Sequence, residues 1–378
     1  MKTLRILLIG LLVVLILPLI GYAGWILKKG TPLQVFVVNK SMKSFKKSEN
    51  KAFNYVLNTK KILASGHRAY NLRMDHYGLY WNNGDYRVNF PRLKELERTA
   101  EKYDLFYYAD AFGIRTSDLQ KLKEGEEDRL VYGGANNTDY NLIKEIISLH
   151  KPLILECNFF GPPTDLLVRY NLEKMLGVYY VGWIGKYVND LSAQADMSPG
   201  VDWKKLFMDY TGEPWNFSGK GIIYINMDAR RIFVLEEGKD INTEKGLIST
   251  GEYGQKEYKL PDKVCYEGWF TLLHPGTNEV ISSFDMQASE AGLRKLNEFG
   301  VPESFPALIR MDENLYFMSG DFGKSTTSDL LPKVLGIGNL YNKVKSLSHK
   351  SSNFFYSYYQ PFMTRMVKDA VEMQDAQQ

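Results

Sequence analysis

Three acidic residues stand at the ends of strand-like runs, and they are the side chains best placed to do chemistry. Asp110 closes LFYYAD, Glu156 closes LILE and Asp321 stands in SGDF. In an open α/β sheet ligands bind beyond the carboxyl ends of the strands, so all three are candidate catalytic residues. Two carboxylates about 5 to 9.5 Å apart can act together on a glycosidic bond, one as acid and the other as base or nucleophile. The same three also have a structural reading, with Asp110 and Asp321 as loop caps and Glu156 as an acceptor of backbone N–H groups. Candidate ligand-binding residues are Asn158, just past Glu156, Arg169, after the GPPT turn, and Asp75, His76 and Trp81 in DHYGLYW. An aromatic plane beside carboxylates suits a sugar. With 25 Tyr and 6 Trp in the chain, such clusters also arise without one.

Metal chemistry finds no support in the spacing. The histidines His67, His76, His150, His274 and His349 form no HxxxH or HExxH pattern, and the two cysteines form no CxxC. No metal and no cofactor is expected. Cys157 and Cys265 both lie in apolar, strand-like contexts, which reads as two buried free thiols, although an oxidising compartment would permit a bridge.

The elements that must position these groups follow from periodicity. LQVFVV (33–38), DLFYYAD (104–110) and PLILECN (152–158) are continuous apolar runs, the pattern of strands covered on both faces. Between them lie helical patterns: one opened by Pro91, one over Tyr140–Leu149 and one over Leu166–Leu176 that Gly177 can cap. VYYVGW (178–183) continues the alternation. Strands alternating with amphipathic helices predict a mostly parallel α/β sheet. The later half reads differently, with hairpins over 221–238 and 305–322, a strand over 279–284, a helix over 289–299 and a closing helix over 353–373. Residues 239–262 are polar and read as an exposed excursion, with a possible subdivision near 200–262.

The amino terminus carries its own signal. Ile6 to Leu27 are 22 consecutive residues without a charge. As a helix they would span about 33 Å, against a hydrocarbon core of about 30 Å. Tyr22 and Trp25 stand where interfacial aromatics belong. The expectation is a single-pass anchor over residues 1–30, inserted in a lipid bilayer through residues 6–27, with an extracytoplasmic α/β domain over 31–378. A cleaved signal peptide is the competing reading. The net charge of +3 divides accordingly. Residues 1–30 hold four bases and no acid, which leaves 43 bases against 44 acids. Beyond Lys51 the balance is 38 against 43. A mildly acidic body argues against a nucleic-acid partner, because phosphate binding needs a basic face.

Taken together, LILECN at a central strand, RYNLEKMLGVYYVGW and the late hairpin PALIRMDENLYFMSGDF resemble class I glutamine amidotransferase-like domains of the carbohydrate-associated kind. These include β-galactosidase trimerisation domains and trehalose-utilisation-type proteins. The resemblance covers roughly residues 33–322 and implies a flavodoxin-like layered fold; a (β/α) barrel is the alternative. The catalytic members place a cysteine in a Gly-x-Cys-x-Gly elbow, whereas Cys157 is flanked by Glu156 and Asn158, with Leu155 and Phe159 at the glycine positions. The resemblance therefore implies a triad-lacking module. The expected function is non-catalytic binding or scaffolding in cell-envelope or polysaccharide handling, with polysaccharide or other envelope proteins as partners. The alternative is an anchored carbohydrate-active, glycoside hydrolase-like enzyme using Asp110, Glu156 or Asp321.

Overall fold

Alternating side chains of an extended chain face opposite ways, so a strand buried along its whole length must be covered on both sides. The computed structural model describes residues 16–41, 48, 50–82, 85–120, 123, 126–192, 202–242, 247–324, 333, 334, 336 and 354–377. Its principal elements in chain order begin with β1 (Val35–Asn39), α1 (Lys51–Lys60), β2 (Tyr77–Asn82), β3 (Asp85–Asn89), α2 (Leu96–Lys102) and β4 (Leu105–Asp110). Then follow α3 (Asn137–Ser148), β5 (Leu153–Glu156), α4 (Leu166–Leu176), β6 (Tyr179–Val188), α5 (Trp203–Thr211), β7 (Gly221–Asn226) and β8 (Arg231–Glu236). The last are β9 (Leu247–Thr250), β10 (Lys263–Cys265), β11 (Trp269–His274), β12 (Glu279–Asp285), α6 (Glu290–Phe299), β13 (Ser304–Asp312), β14 (Leu315–Met318) and α7 (Gln360–Gln377).

Ten strands form the main sheet in the order β10-β9-β12-β13-β14-β5-β4-β1-β2-β3. β1, β4, β5 and β14 are buried at every residue. Their side chains divide between two cores. Val35, Val37, Tyr107, Ile154, Tyr316 and Met318 face α1, α7 and a second sheet. Phe36, Val38, Phe106, Tyr108, Leu153, Leu155 and Phe317 face the layer of α2, α3 and α4. The second sheet has four antiparallel strands, ordered β8-β7-β6-β11. Its far face is covered by α5 through Trp203, Leu206 and Phe207.

Several expectations are corrected here. The main sheet is mixed rather than mostly parallel: four pairings are parallel, β14–β5, β5–β4, β4–β1 and β1–β2, while the other five are antiparallel. The sheet is open, ending at β10 and β3, and does not close as a barrel. VYYVGW does not extend the parallel set; it opens β6 of the second sheet. Part of the supposed polar excursion supplies β9, which pairs with β12 and β10.

The largest correction concerns the amino terminus. No helix among the described residues is long and apolar enough to cross a membrane. Of the charge-free run, residues 6–15 lie outside the described residues, and residues 16–27 are helical. The end of this helix is tied to the body instead. The Trp25 indole donates to the carbonyl of Asn58 at 2.8 Å, and Lys28 donates to the carbonyl of Lys60 at 2.7 Å. The Lys61 ammonium donates to the carbonyl of Ile26 at 2.8 Å and caps the helix end. The single-pass anchor and the membrane, extracytoplasmic address drawn from it are therefore unsupported.

Candidate functional site

The parallel strands β1, β4, β5 and β14 all end along one edge, and polar residues gather there. β1 passes directly into Lys40 and Ser41, and the Lys40 N–H donates to the carbonyl of Asp110 at 3.0 Å, tying the ends of β1 and β4 together. Asp110 turns its carboxylate back on its own loop, where Oδ1 accepts from the Phe112 N–H at 2.8 Å. Such a side-chain-to-backbone bond two residues on is the ordinary means by which an aspartate shapes a turn. Beyond it the Gly113 N–H donates to the Ser41 hydroxyl at 2.6 Å. Gly113 has φ +89°, and a Cβ there would stand 2.0 Å from the carbonyl oxygen of Tyr132, so only glycine fits.

Asp321 is positioned by the junction between the two sheets. After β14 the chain runs along β11, with the Thr271 N–H donating to Ser319 at 2.7 Å and the Asp321 N–H donating to Trp269 at 2.8 Å. This places the Asp321 carboxylate beside the end of β5, where Lys324 pairs with it at 2.9 Å. Glu156 ends β5. Its Oε1 accepts from the Tyr107 hydroxyl at 2.7 Å and from the Gly323 N–H at 3.1 Å. Tyr107 is in turn 3.1 Å from the Tyr359 hydroxyl. That contact carries the network into the aromatic segment before α7.

The three strand-end carboxylates are thus brought together, and they are sealed. Asp110, Glu156 and Asp321 are 3%, 1% and 4% exposed. Burial foremost, then the neighbouring Asp321 and Asp110, holds the Glu156 carboxyl well above the usual carboxylate range, against the opposing pull of its hydrogen bonds. Burial also raises Asp321, with Lys324 acting against it and Asp110 adding to it. The Cys157 thiol, 2% exposed, is pushed well above its ordinary value by burial and then by Asp321 and Glu156. A thiolate is the reactive form of cysteine, so this environment is the reverse of a nucleophile's. No disulfide joins Cys157, which is buried, to Cys265, which is half-buried.

Of the remaining expected residues, Asp75, His76 and Arg169 have their partners elsewhere. Arg68 holds Asp75 in a two-pronged pair at 2.5 and 2.6 Å, and the Asn71 N–H donates to the same carboxylate. His76 is buried, stacked on Tyr80 at 4.0 Å, with Nε2 2.9 Å from the carbonyl of Leu79. Burial lowers its pKa. Arg169 pairs with Asp228 at 3.0 Å and lies over the Tyr180 ring at 5.2 Å. Asn158 is half-buried next to the cluster. Trp81 pairs through its backbone with Tyr86 in the β2–β3 hairpin, and its side chain lies outside the described residues.

Sequence reasoning overlooked Lys40. Its ammonium, 1% exposed, lies 2.6 Å from Asp139 and 2.8 Å from the carbonyl of Gly134, with the Phe90 ring 5.2 Å away. Asp139 also closes the capping box of α3 with Asn136. Tyr107, Tyr359 and Lys324 were overlooked too. The available signal was Lys40 itself, a charge only two residues past the apolar run Val35–Val38. No group of three or more His, Cys, Asp and Glu side chains among the described residues could hold a metal ion.

No family model matches the chain, and no curated protein matches it. Among solved structures, the chain is similar to one described as a ThuA-like protein from Bacteroides uniformis. The two are 8% identical with a TM-score of 0.40, and the match covers 87% of this chain and 98% of that one. The functional reading rests on the site itself.

Proposed function

We propose that this chain is a non-catalytic binding or scaffolding protein in polysaccharide handling. The observation that carries the reading is the sealing of the strand-end groups. A glycosidase needs one carboxylate and one carboxylic acid facing the scissile bond across an open cleft. Here Glu156 is engaged by Tyr107 and Gly323, Asp321 by Lys324 and Asp110 by its own loop. A covalent route through Cys157 has no support, because the buried thiol is held protonated. The gathering of three carboxylates favours a second reading, a glycoside hydrolase-like enzyme, which would require this cluster to open.

One experiment separates the two. The full chain is incubated with a panel of polysaccharides, with retention followed by affinity electrophoresis and cleavage by release of reducing ends. Retention without cleavage is the expected result. Cleavage that disappears in Glu156→Gln would overturn the binding reading in favour of the hydrolase.

A further inference from the structure

Beside the sealed cluster the molecule has an open cleft of about 350 Å³. Its floor is the carboxyl-edge loop after β4 and the Pro162–Pro163 turn after β5; its far wall is α5 and the β7–β8 turn. It therefore lies where ligands of open α/β sheets collect, yet uses none of the three strand-end carboxylates.

The charges in the cleft are unequal in their commitments. Arg115 is engaged, with Nε donating to Asp128 at 2.9 Å. Asp202 is engaged as the cap of α5, accepting from the Lys205 N–H at 3.0 Å. That leaves Lys205, Arg230 and Asp209, all exposed, with no hydrogen-bonding or ionic side-chain partner among the described residues. Lys205 and Asp209 are one helical turn apart, and no ion pair forms between them. Two cations without a side-chain partner among the described residues thus face the cleft, beside the carboxylates of Asp202 and Asp209. Phe112, Pro162 and Met227 supply apolar surface between them. An aromatic and apolar floor with polar groups at the rim suits a sugar ring, which has a hydrophobic face and a hydroxyl edge.

We propose that this cleft is the ligand site, and that it takes an oligosaccharide whose units carry a carboxylate. The inference rests on the binding reading above and adds the ligand class. Arg230 and Lys205 hold the carboxylate, the guanidinium by paired N–H donors and the ammonium as a point charge. Asp209 accepts from ring hydroxyls, and Phe112 packs on the apolar face of the ring. A neutral saccharide offers Arg230 and Lys205 no charge-assisted hydrogen bond, so it is expected to bind more weakly.

The test is calorimetric titration of the full chain with trigalacturonate, maltotriose and glucose 6-phosphate. Trigalacturonate binding is expected, weakened about tenfold by Lys205→Gln or Arg230→Gln, as loss of a charge-assisted hydrogen bond implies. Both substitutions are on the surface, and an unchanged melting temperature verifies the fold of each. Failure to bind trigalacturonate, or binding by both variants as tight as the parent's, overturns the inference. Preference for glucose 6-phosphate overturns the carboxylate class. Maltotriose binding unaffected by either variant also overturns the inference but leaves the non-catalytic binding reading standing. Release of reducing ends from trigalacturonate overturns that reading instead.

Discussion

If Glu156 is a neutral acid in the folded protein, replacing it by its uncharged isostere has a sign that most core substitutions lack. Its folded pKa is raised well above the ordinary 4.5, chiefly by burial. Below the ordinary value the carboxyl is protonated in both folded and unfolded chains and its contribution to stability is fully present. As pH rises, the unfolded chain ionises first, and stability is lost until the pH has passed through the folded pKa. The loss is about 1.4 kcal/mol for each pH unit in that window. Glu156→Gln removes the titration, and its carbonyl can still accept from the Tyr107 hydroxyl and the Gly323 N–H. Urea denaturation followed by fluorescence should therefore find the variant close to the parent at the acid end of the window. Two pH units higher it should be more stable by about 2–3 kcal/mol. Glu156→Leu is the control. It leaves the Gly323 N–H without an acceptor and should cost about 1–3 kcal/mol relative to the Gln variant at every pH. A difference between parent and Gln variant that stays flat with pH would refute the reasoning, since Glu156 would then be ionised and fully compensated.

Other consequences are as direct. In the native protein Cys265 should react with a maleimide well before Cys157, and denaturation should equalise them; equal native rates, read by mass spectrometry, would contradict the burial of Cys157. Lys40→Met strands the Asp139 carboxylate in the interior and should cost about 3–5 kcal/mol in urea denaturation. Adding Asp139→Asn should recover part of that loss, and no recovery would mean that the ion pair was not the cause. Gly113→Ala forces a side chain into a left-handed backbone against the Tyr132 carbonyl, with a cost of at least about 1–2 kcal/mol. An unchanged melting temperature would show that the loop after β4 can relax.

Local pattern alone made much of the molecule legible. The continuous apolar runs at 35–38, 105–109 and 153–155 are strands because a run with no polar face can be satisfied only in the middle of a covered sheet. The helix at Leu166–Leu176, with its Gly177 cap, and that at Glu290–Phe299, with Gly300, carry their stop signals in the sequence. Pairing direction was not legible. The apolar runs of β12, β13 and β6 would suit parallel or antiparallel neighbours alike, and the mixed sheet emerged only from where the chain turned. Hydropathy likewise counted 22 charge-free residues at the amino terminus without registering that Trp25 and Lys28 have partners on α1.

The same division runs through the site. The sequence by itself determined which acids stand at strand ends, since that follows from chain order and residue type. It also determined that Cys157 lacks the small neighbours of a nucleophile elbow. Only the tertiary structure decided what those groups are. The Glu156 carboxyl is held well above the usual carboxylate range because burial and the neighbouring Asp321 and Asp110, 165 and 46 residues away in sequence, outweigh its hydrogen bonds from Tyr107 and Gly323. Lys40 is an interior ion rather than one more basic flanking residue because α3 delivers Asp139 to it from 99 positions away. Charge state and exposure are set by what surrounds a group in space, and no local window of sequence contains those neighbours.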